Sequence, residues 1–372
     1  MTRSSYLHEQ NTTRMQLFRN FKSVTKTCYG RGSFDKLGEI LDPHRNSGFM
    51  VFVVDAYFED KEAFRQRLPV KEGDELFFIG TEKEPYTEQI DALRDDILQR
   101  RGLPAGIVGI GGGTLMDIAK ASSLMFTNEG SSVQYQGLNL IRKPGIYHCG
   151  VPTISGTGAE VSMTAVLTGP VKKLGLKCDW TVFDQIVLDP DLIATVPRDQ
   201  WFYTGMDTYI HSVEAITGTK KNTFAEAYSE KSLELCREVF MHLDREDPKS
   251  DEKLMVASYM GGLSLTYSEV GVCHALSYGL GKVLEIHHCL ANCIAFDKLE
   301  DVYGDHVQEF KGMVKHLGVH IPQGLAKEWS EDTISAMAEV AYDLPHMWDH
   351  AFGPGWEQVL DRERIKGWYR RM

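Results

Sequence analysis

The chain has 372 residues, 42% hydrophobic and 25% charged, with a net charge of −12 at pH 7. That composition is ordinary for a folded globular protein and excludes a disordered chain, a collagen-like repeat or a coiled coil. The acidic balance argues against nucleic acid or an anionic membrane as the main partner, since both select excess Lys and Arg. No segment reaches the roughly 20 apolar residues of a membrane span. The first ten residues lack the apolar core of a secretory signal, and about the first twenty read as a loose arm. Seven scattered cysteines with no C-x-x-C pair suit reduced thiols in a cytoplasm.

In chain order, residues 49–55 read as a buried strand, 76–79 as a second and 107–110 as a third. Residues 87–101 have helical periodicity, with Ile90, Leu93, Ile97 and Leu98 on one face. A further helix is expected over 115–126. Alternating strands and helices predict a mostly parallel sheet covered on both faces. Residues 147–168 read as strand, loop, strand, and 185–188 as one more strand. After Asp189-Pro190 the strand signals nearly vanish. Residues 200–217, 223–242, 251–268 and 333–343 read as helices. The expected division is an α/β unit over 1–194 and an all-helical unit over 195–372.

Gly111-Gly112-Gly113-Thr114 follows a strand and opens a helix, a placement that lets backbone N–H groups meet a phosphate. The spacing is not G-x-G-x-x-G, so a standard dinucleotide fold does not follow from it alone. Asp55 ends a strand, where an acid either binds ribose hydroxyls or caps the next helix. Thr153, Ser155, Gly156, Thr157 and Gly158 form a second polar loop, which either lines a ligand or simply makes a loop. Asp207 and His211 are an i, i+4 pair; with His274 and His288 they make a four-ligand set for a divalent metal. His346 and His350 have the same spacing and compete with that pair, more as substrate contacts than as ligands. Lys172-Lys173 reads most simply as a solvated basic pair.

Taken in order, these motifs resemble the iron-containing (group III) alcohol dehydrogenases. The likeness runs from roughly Tyr29 to Asp297. It is carried by Gly111-Gly112-Gly113-Thr114-Leu115-Met116-Asp117, by Pro152-Thr153-Ile154-Ser155-Gly156-Thr157-Gly158, by Gly205-Met206-Asp207 with His211, and by His274-Ala275-Leu276 leading to His288 and Asn292. The resemblance implies a dehydroquinate synthase-like architecture, with an N-terminal NAD-binding domain and a C-terminal helical domain for metal and substrate. It implies Fe²⁺ or Zn²⁺ on Asp207, His211, His274 and His288. NAD is implied on Asp55, Gly112, Gly113, Thr114, Asp117, Thr153, Ser155 and Thr157, with Lys173 near the nicotinamide ribose. Two positions depart from the family pattern. Tyr278 stands where a histidine is usual, which makes it the catalytic candidate, and Cys289 stands where glycine is usual.

The expected reaction is oxidation of a primary alcohol to an aldehyde with hydride transfer to the nicotinamide. A narrower likeness, in residues 160–170 and 271–280, is to a branch that oxidises the terminal hydroxyl of 3-deoxy-D-manno-octulosonate for lipopolysaccharide. Polar groups such as Tyr278 and His287, with the segment bearing His346, Trp348 and His350 closing over the outer part, fit such a polyol or sugar acid. The alternatives are a general short-chain alcohol or polyol dehydrogenase, a dehydroquinate-synthase-type cyclase or lyase, and a non-catalytic NAD- or metal-sensing protein. A cytoplasmic homodimer is expected.

Overall fold

A computed structural model describes residues 21–81 and 83–372; the expected N-terminal arm lies outside the described residues. The strands in chain order are β1 (Lys26–Tyr29), β2 (Met50–Asp55), β3 (Glu75–Ile79), β4 (Gly106–Gly111) and β5 (Gly137–Leu138). They continue with β6 (Tyr147–Pro152), β7 (Thr164–Thr168), β8 (Lys173–Lys177) and β9 (Gln185–Leu188). Six of them form one parallel sheet in the order β1-β9-β6-β4-β2-β3.

The apolar runs become strands because both faces of this sheet are covered. Along β2, Val51 and Val53 join one core with Ile90 and Ile97, while Met50, Phe52 and Val54 join the core on the opposite face. Helices α1 (Thr87–Arg101) and α2 (Gly113–Met125) supply the first of these faces. The α1 boundaries agree with the periodicity, whereas α2 opens at Gly113 rather than at residue 115. Short β1 and the hairpin strand β8 were invisible to pattern reading, each being brief and rich in polar residues.

Among the described residues no strand follows Leu188. The longer helices are α3 (Arg198–Thr217), α4 (Thr223–His242), α5 (Pro248–Tyr267), α6 (Val272–Leu284) and α7 (His288–Phe296). After them come α8 (Asp305–Leu317), α9 (Glu331–Tyr342), α10 (Pro345–Phe352) and α11 (Arg362–Tyr369). Met255 and Leu263 of α5 pack into a core of the sheet half, so the two halves share apolar contact. No described helix is long and apolar enough to cross a membrane.

Adjacent strands β6, β4 and β2 end at Pro152, Gly111 and Asp55. Ligands of open α/β sheets bind beyond such carboxyl ends. Here those ends face the helical half across a cleft.

Candidate active site

The cleft is a cavity of about 790 Å³ with walls from both halves. On the sheet side Asp55, Gly112, Gly113, Thr114, Asp117, Thr153 and Thr157 line it. Gly112 starts α2 with no side-chain cap, so the first N–H groups of the helix have no side-chain acceptor. Free N–H groups at a helix start favour an anion, which is the chemistry a pyrophosphate requires. The Asp55 carboxylate accepts from Tyr57 N at 3.0 Å, capping the next turn, and it faces the cavity.

The second loop is shaped largely by packing. Gly156 has φ +151°, and a Cβ there would lie 1.6 Å from the Thr204 carbonyl oxygen of α3. Gly158 has φ +63°, and its Cβ would lie 2.3 Å from Gly262 Cα of α5. Both glycines therefore let the loop dock on the helical half. Ser155, expected on the cofactor, is buried, lies off the cavity wall and has no hydrogen-bond partner for its Oγ among the described residues. Lys120 of α2 is fully buried and ties that helix to the segment that leads from the second loop into β7. Its Nζ donates to Ser162 O at 2.9 Å and Thr164 O at 3.0 Å.

On the helical side, α3 carries Asp207 and His211, α6 carries His274, and α7 opens at His288. Helical spacing stacks the first two on one face; burial of α3 between its neighbours turns that face towards α6 and α7. Asp207 Oδ1 lies 3.6 Å from His211 Nε2, 3.3 Å from His274 Nε2 and 3.8 Å from His288 Nε2. Ligands about 2.0–2.1 Å from a tetrahedral ion stand about 3.4 Å apart. Asp207, His274 and His288 bring donor atoms within 4.8 Å of one another, with His211 beside Asp207, so the residues fit a divalent metal.

The charges agree with that reading. Burial alone would raise the Asp207 carboxyl, but the three imidazoles around it, His211, His288 and His274, together outweigh burial and hold it well below the usual range. Burial pulls His211 down to about 4 and His288 to about 3, leaving both imidazoles neutral. Burial also acts on His274, yet Glu214 and Asp207 raise it to about 9.

Glu214 is a residue that sequence reasoning missed. One helical turn beyond Ile210 on α3, it is fully buried; its Oε2 accepts from His274 Nδ1 at 2.5 Å. Its Oε1 accepts from Tyr303 Oη at 2.6 Å and from Cys273 N at 2.8 Å. The carboxylate fixes the His274 ring with Nε2 turned towards Asp207, the arrangement that orients metal-binding histidines. Its spacing of seven from Asp207 was the available signal. Asn292 adds a tether, its Nδ2 donating to Asp207 Oδ1 at 2.6 Å.

Tyr278 lines the cavity with its ring 6.1 Å from that of His288. Burial first, then Glu84 and Asp117, push its phenol far above the ordinary value, so it stays protonated. Lys173 is not a solvated pair with Lys172. Strand alternation in β8 turns it into the cavity, where Nζ meets Glu84 at 3.0 Å and lies 4.9 Å from the Tyr278 ring centre. The competing histidines separate. His346 lines the cavity, whereas His350 is fully buried, its Nε2 donating to Glu214 O at 2.9 Å and its Nδ1 accepting from Lys220 N. Trp348 is also fully buried, donating to Ala341 O at 2.8 Å. The apolar face of α10 packs into the helical core, so of this segment His346 reaches the cavity while Trp348 and His350 do not. Cys289 fills the family's glycine position as a buried thiol, with Sγ 4.0 Å from Asp207 Oδ2.

Comparison with known proteins agrees with the geometry. Residues 24–190 match iron-containing alcohol dehydrogenases, and residues 201–347 match the C-terminal part of that family. The NAD-dependent methanol dehydrogenase of Bacillus methanolicus is 25% identical over 342 residues, which span 90% of this chain and 87% of the relative. A sulfoacetaldehyde reductase of Bilophila wadsworthia is 28% identical over 191 residues, 50% of this chain and 49% of the relative. The crystal structure of a 1,3-propanediol oxidoreductase superposes with a TM-score of 0.80 at 21% identity, over 95% of this chain and 99% of the other. A divalent metal and NAD are consistent with both the cleft and these relatives. The chain belongs to the iron-containing alcohol dehydrogenase family and is an oxidoreductase acting on CH–OH groups.

Proposed function

We propose that the enzyme oxidises the primary hydroxyl of a polar, anionic polyol or sugar acid, using NAD and an iron bound by Asp207, His211, His274 and His288. The 8-hydroxyl of 3-deoxy-D-manno-octulosonate, a sugar of lipopolysaccharide, is the substrate of choice. The observation that carries this reading is the cavity wall beside the ligand cluster. Among apolar neighbours it holds Lys173, Lys177, Glu84, Glu269 and His287, groups that can pair with hydroxyls and charge. A relative named for sulfoacetaldehyde shows that the family includes a protein whose named substrate is anionic.

When bound, the metal supplies a Lewis acid that makes a nearby hydroxyl more acidic, and NAD supplies the hydride acceptor. The protein does the rest by placement. The start of α2 holds the pyrophosphate, Asp55 the adenosine ribose, and Thr114, Asp117, Thr153 and Thr157 the adjoining cofactor surface. Lys173, fixed by Glu84, sits beside the nicotinamide ribose. Tyr278 keeps its proton at neutral pH and therefore donates a hydrogen bond to a substrate hydroxyl instead of acting as base. A site that pairs hydroxyls rejects analogues lacking them, because its own polar groups would be left unpaired.

The division at residues 194 and 195 is taken as the functional one, cofactor before it and metal after it, with the substrate between the two. Seven free thiols suit a reducing cytoplasm, and a homodimer is the proposed assembly. A second reading, a short-chain alcohol dehydrogenase, is favoured by the methanol dehydrogenase relative. Metal analysis of the purified enzyme, then turnover of ethanol, butanol, propanediol, glycerol and the sugar acid, separates the two. Turnover of butanol equal to or above that of the sugar acid would overturn the first reading.

A further inference from the structure

The cavity holds a second lysine–glutamate pair to which neither metal nor cofactor assigns a role. Lys173 and Lys177 are four residues apart on β8, so both leave the same face of the strand and both line the cavity. Strand rise separates them by about 13 Å. Lys173 is engaged by Glu84 near Tyr278. Lys177 lies further along the strand, where its Nζ donates to Glu269 Oε2 at 3.2 Å, and Glu269, like Glu84, acts on the Tyr278 phenol.

Glu269 lies in the turn between α5 and α6, with its side chain only 13% exposed. Its other oxygen accepts from Val270 N at 3.3 Å, so the carboxylate is held at two points. His346 of α10 reaches the same part of the wall, and Lys220 Nζ donates to the His346 backbone oxygen at 3.3 Å. Lysine carries three donors and Glu269 takes one of them. The Lys177 side chain is 33% exposed at the cavity, so the remaining donors can meet a ligand.

We infer that Lys177, positioned by Glu269 and joined by His346, is the subsite for the carboxylate end of a hydroxylated acid whose alcohol end lies at the metal cluster. This rests on the sugar-acid reading but makes a separate claim, that an anion on the substrate is recognised at Lys177. The Glu269 oxygens can also accept from a hydroxyl next to that carboxylate. A pair that merely pinned the β7–β8 hairpin to the α5–α6 turn would treat charged and neutral substrates alike.

The test uses the metal- and NAD-loaded enzyme with 4-hydroxybutyrate, its neutral counterpart 1,4-butanediol, and 3-deoxy-D-manno-octulosonate. Binding of 4-hydroxybutyrate to the enzyme–NADH complex, measured by calorimetry, gives a readout independent of turnover. Lys177→Gln is expected to raise KM and Kd for 4-hydroxybutyrate roughly 10- to 100-fold, the worth of a hydrogen bond to a charged group. The KM for the diol and kcat should stay within about twofold, since neither uses that charge. Lys177→Arg should recover most of the loss. The double variant Lys177→Gln/Glu269→Gln removes the buried unpaired carboxylate and guards against a folding defect. Equal changes for acid and diol in that variant overturn the subsite, as does failure of the wild-type enzyme to bind or oxidise either acid. If 4-hydroxybutyrate depends on Lys177 while the sugar acid is ignored, the subsite stands and the sugar-acid reading falls.

Discussion

The two walls of the cleft use opposite means of recognition. The sheet wall offers backbone N–H groups, glycines and short hydroxyl side chains at the carboxyl ends of parallel strands. The helical wall offers ionisable side chains from three helices, with His274 held by Glu214 and Asp207 by Asn292. A backbone site tolerates changes in side chains, because its donors belong to the fold. A side-chain cluster fails with the loss of one member, because each remaining charge is then buried without its partner. Damage to the helical wall should therefore be severe and local, and damage to the sheet wall graded.

The largest effect is expected from His274→Ala, which removes a donor and the anchor of Glu214 together. Metal content should fall to background and kcat/KM by about a thousandfold or more. NAD should still bind, as measured by fluorescence quenching. Retained metal would show that the cluster is structural, and loss of NAD binding would show that the two walls are not independent. Glu214→Gln should come next. It leaves every donor in place but frees the His274 ring, and metal affinity should drop about 10- to 100-fold in a chelator competition. An unchanged affinity would reduce Glu214 to a packing residue.

Tyr278→Phe should lower kcat/KM about tenfold, the scale of one hydrogen bond. A loss as large as that of His274→Ala would make Tyr278 the base after all, against the upward shift of its phenol. The smallest effect belongs to the sheet wall. Asp55→Gly should narrow the preference for NAD over NADP by about fivefold, since like charges a few Å apart in solvent cost about 1 kcal/mol. An unchanged ratio of kcat/KM for the two cofactors would leave Asp55 as the cap of Tyr57 alone.

These residues also show how far a one-dimensional reading goes. The strands at 49–55 and 107–110 and the helix at 87–101 were legible because burial imposes a period that local sequence must carry. The glycine turn was legible because its conformation and its chemistry lie within four consecutive residues. The metal ligands were named through resemblance, since Asp207–His211 and His346–His350 have identical spacing and no local signal separates them.

Tertiary structure made that choice. It placed His350 beneath the Glu214 carbonyl and brought His274 and His288, from two other helices, against Asp207. It likewise decided that Gly156 and Gly158 serve close packing, that Ser155 lies off the cleft, and that Lys173 and Lys177 face it. Sequence by itself determined what is local along the chain: the sheet strands, the helices and the glycine turn at a helix start. Which distant side chains meet depends on how helices pack, and no local pattern carries that information, because each side chain is placed by neighbours tens of residues away.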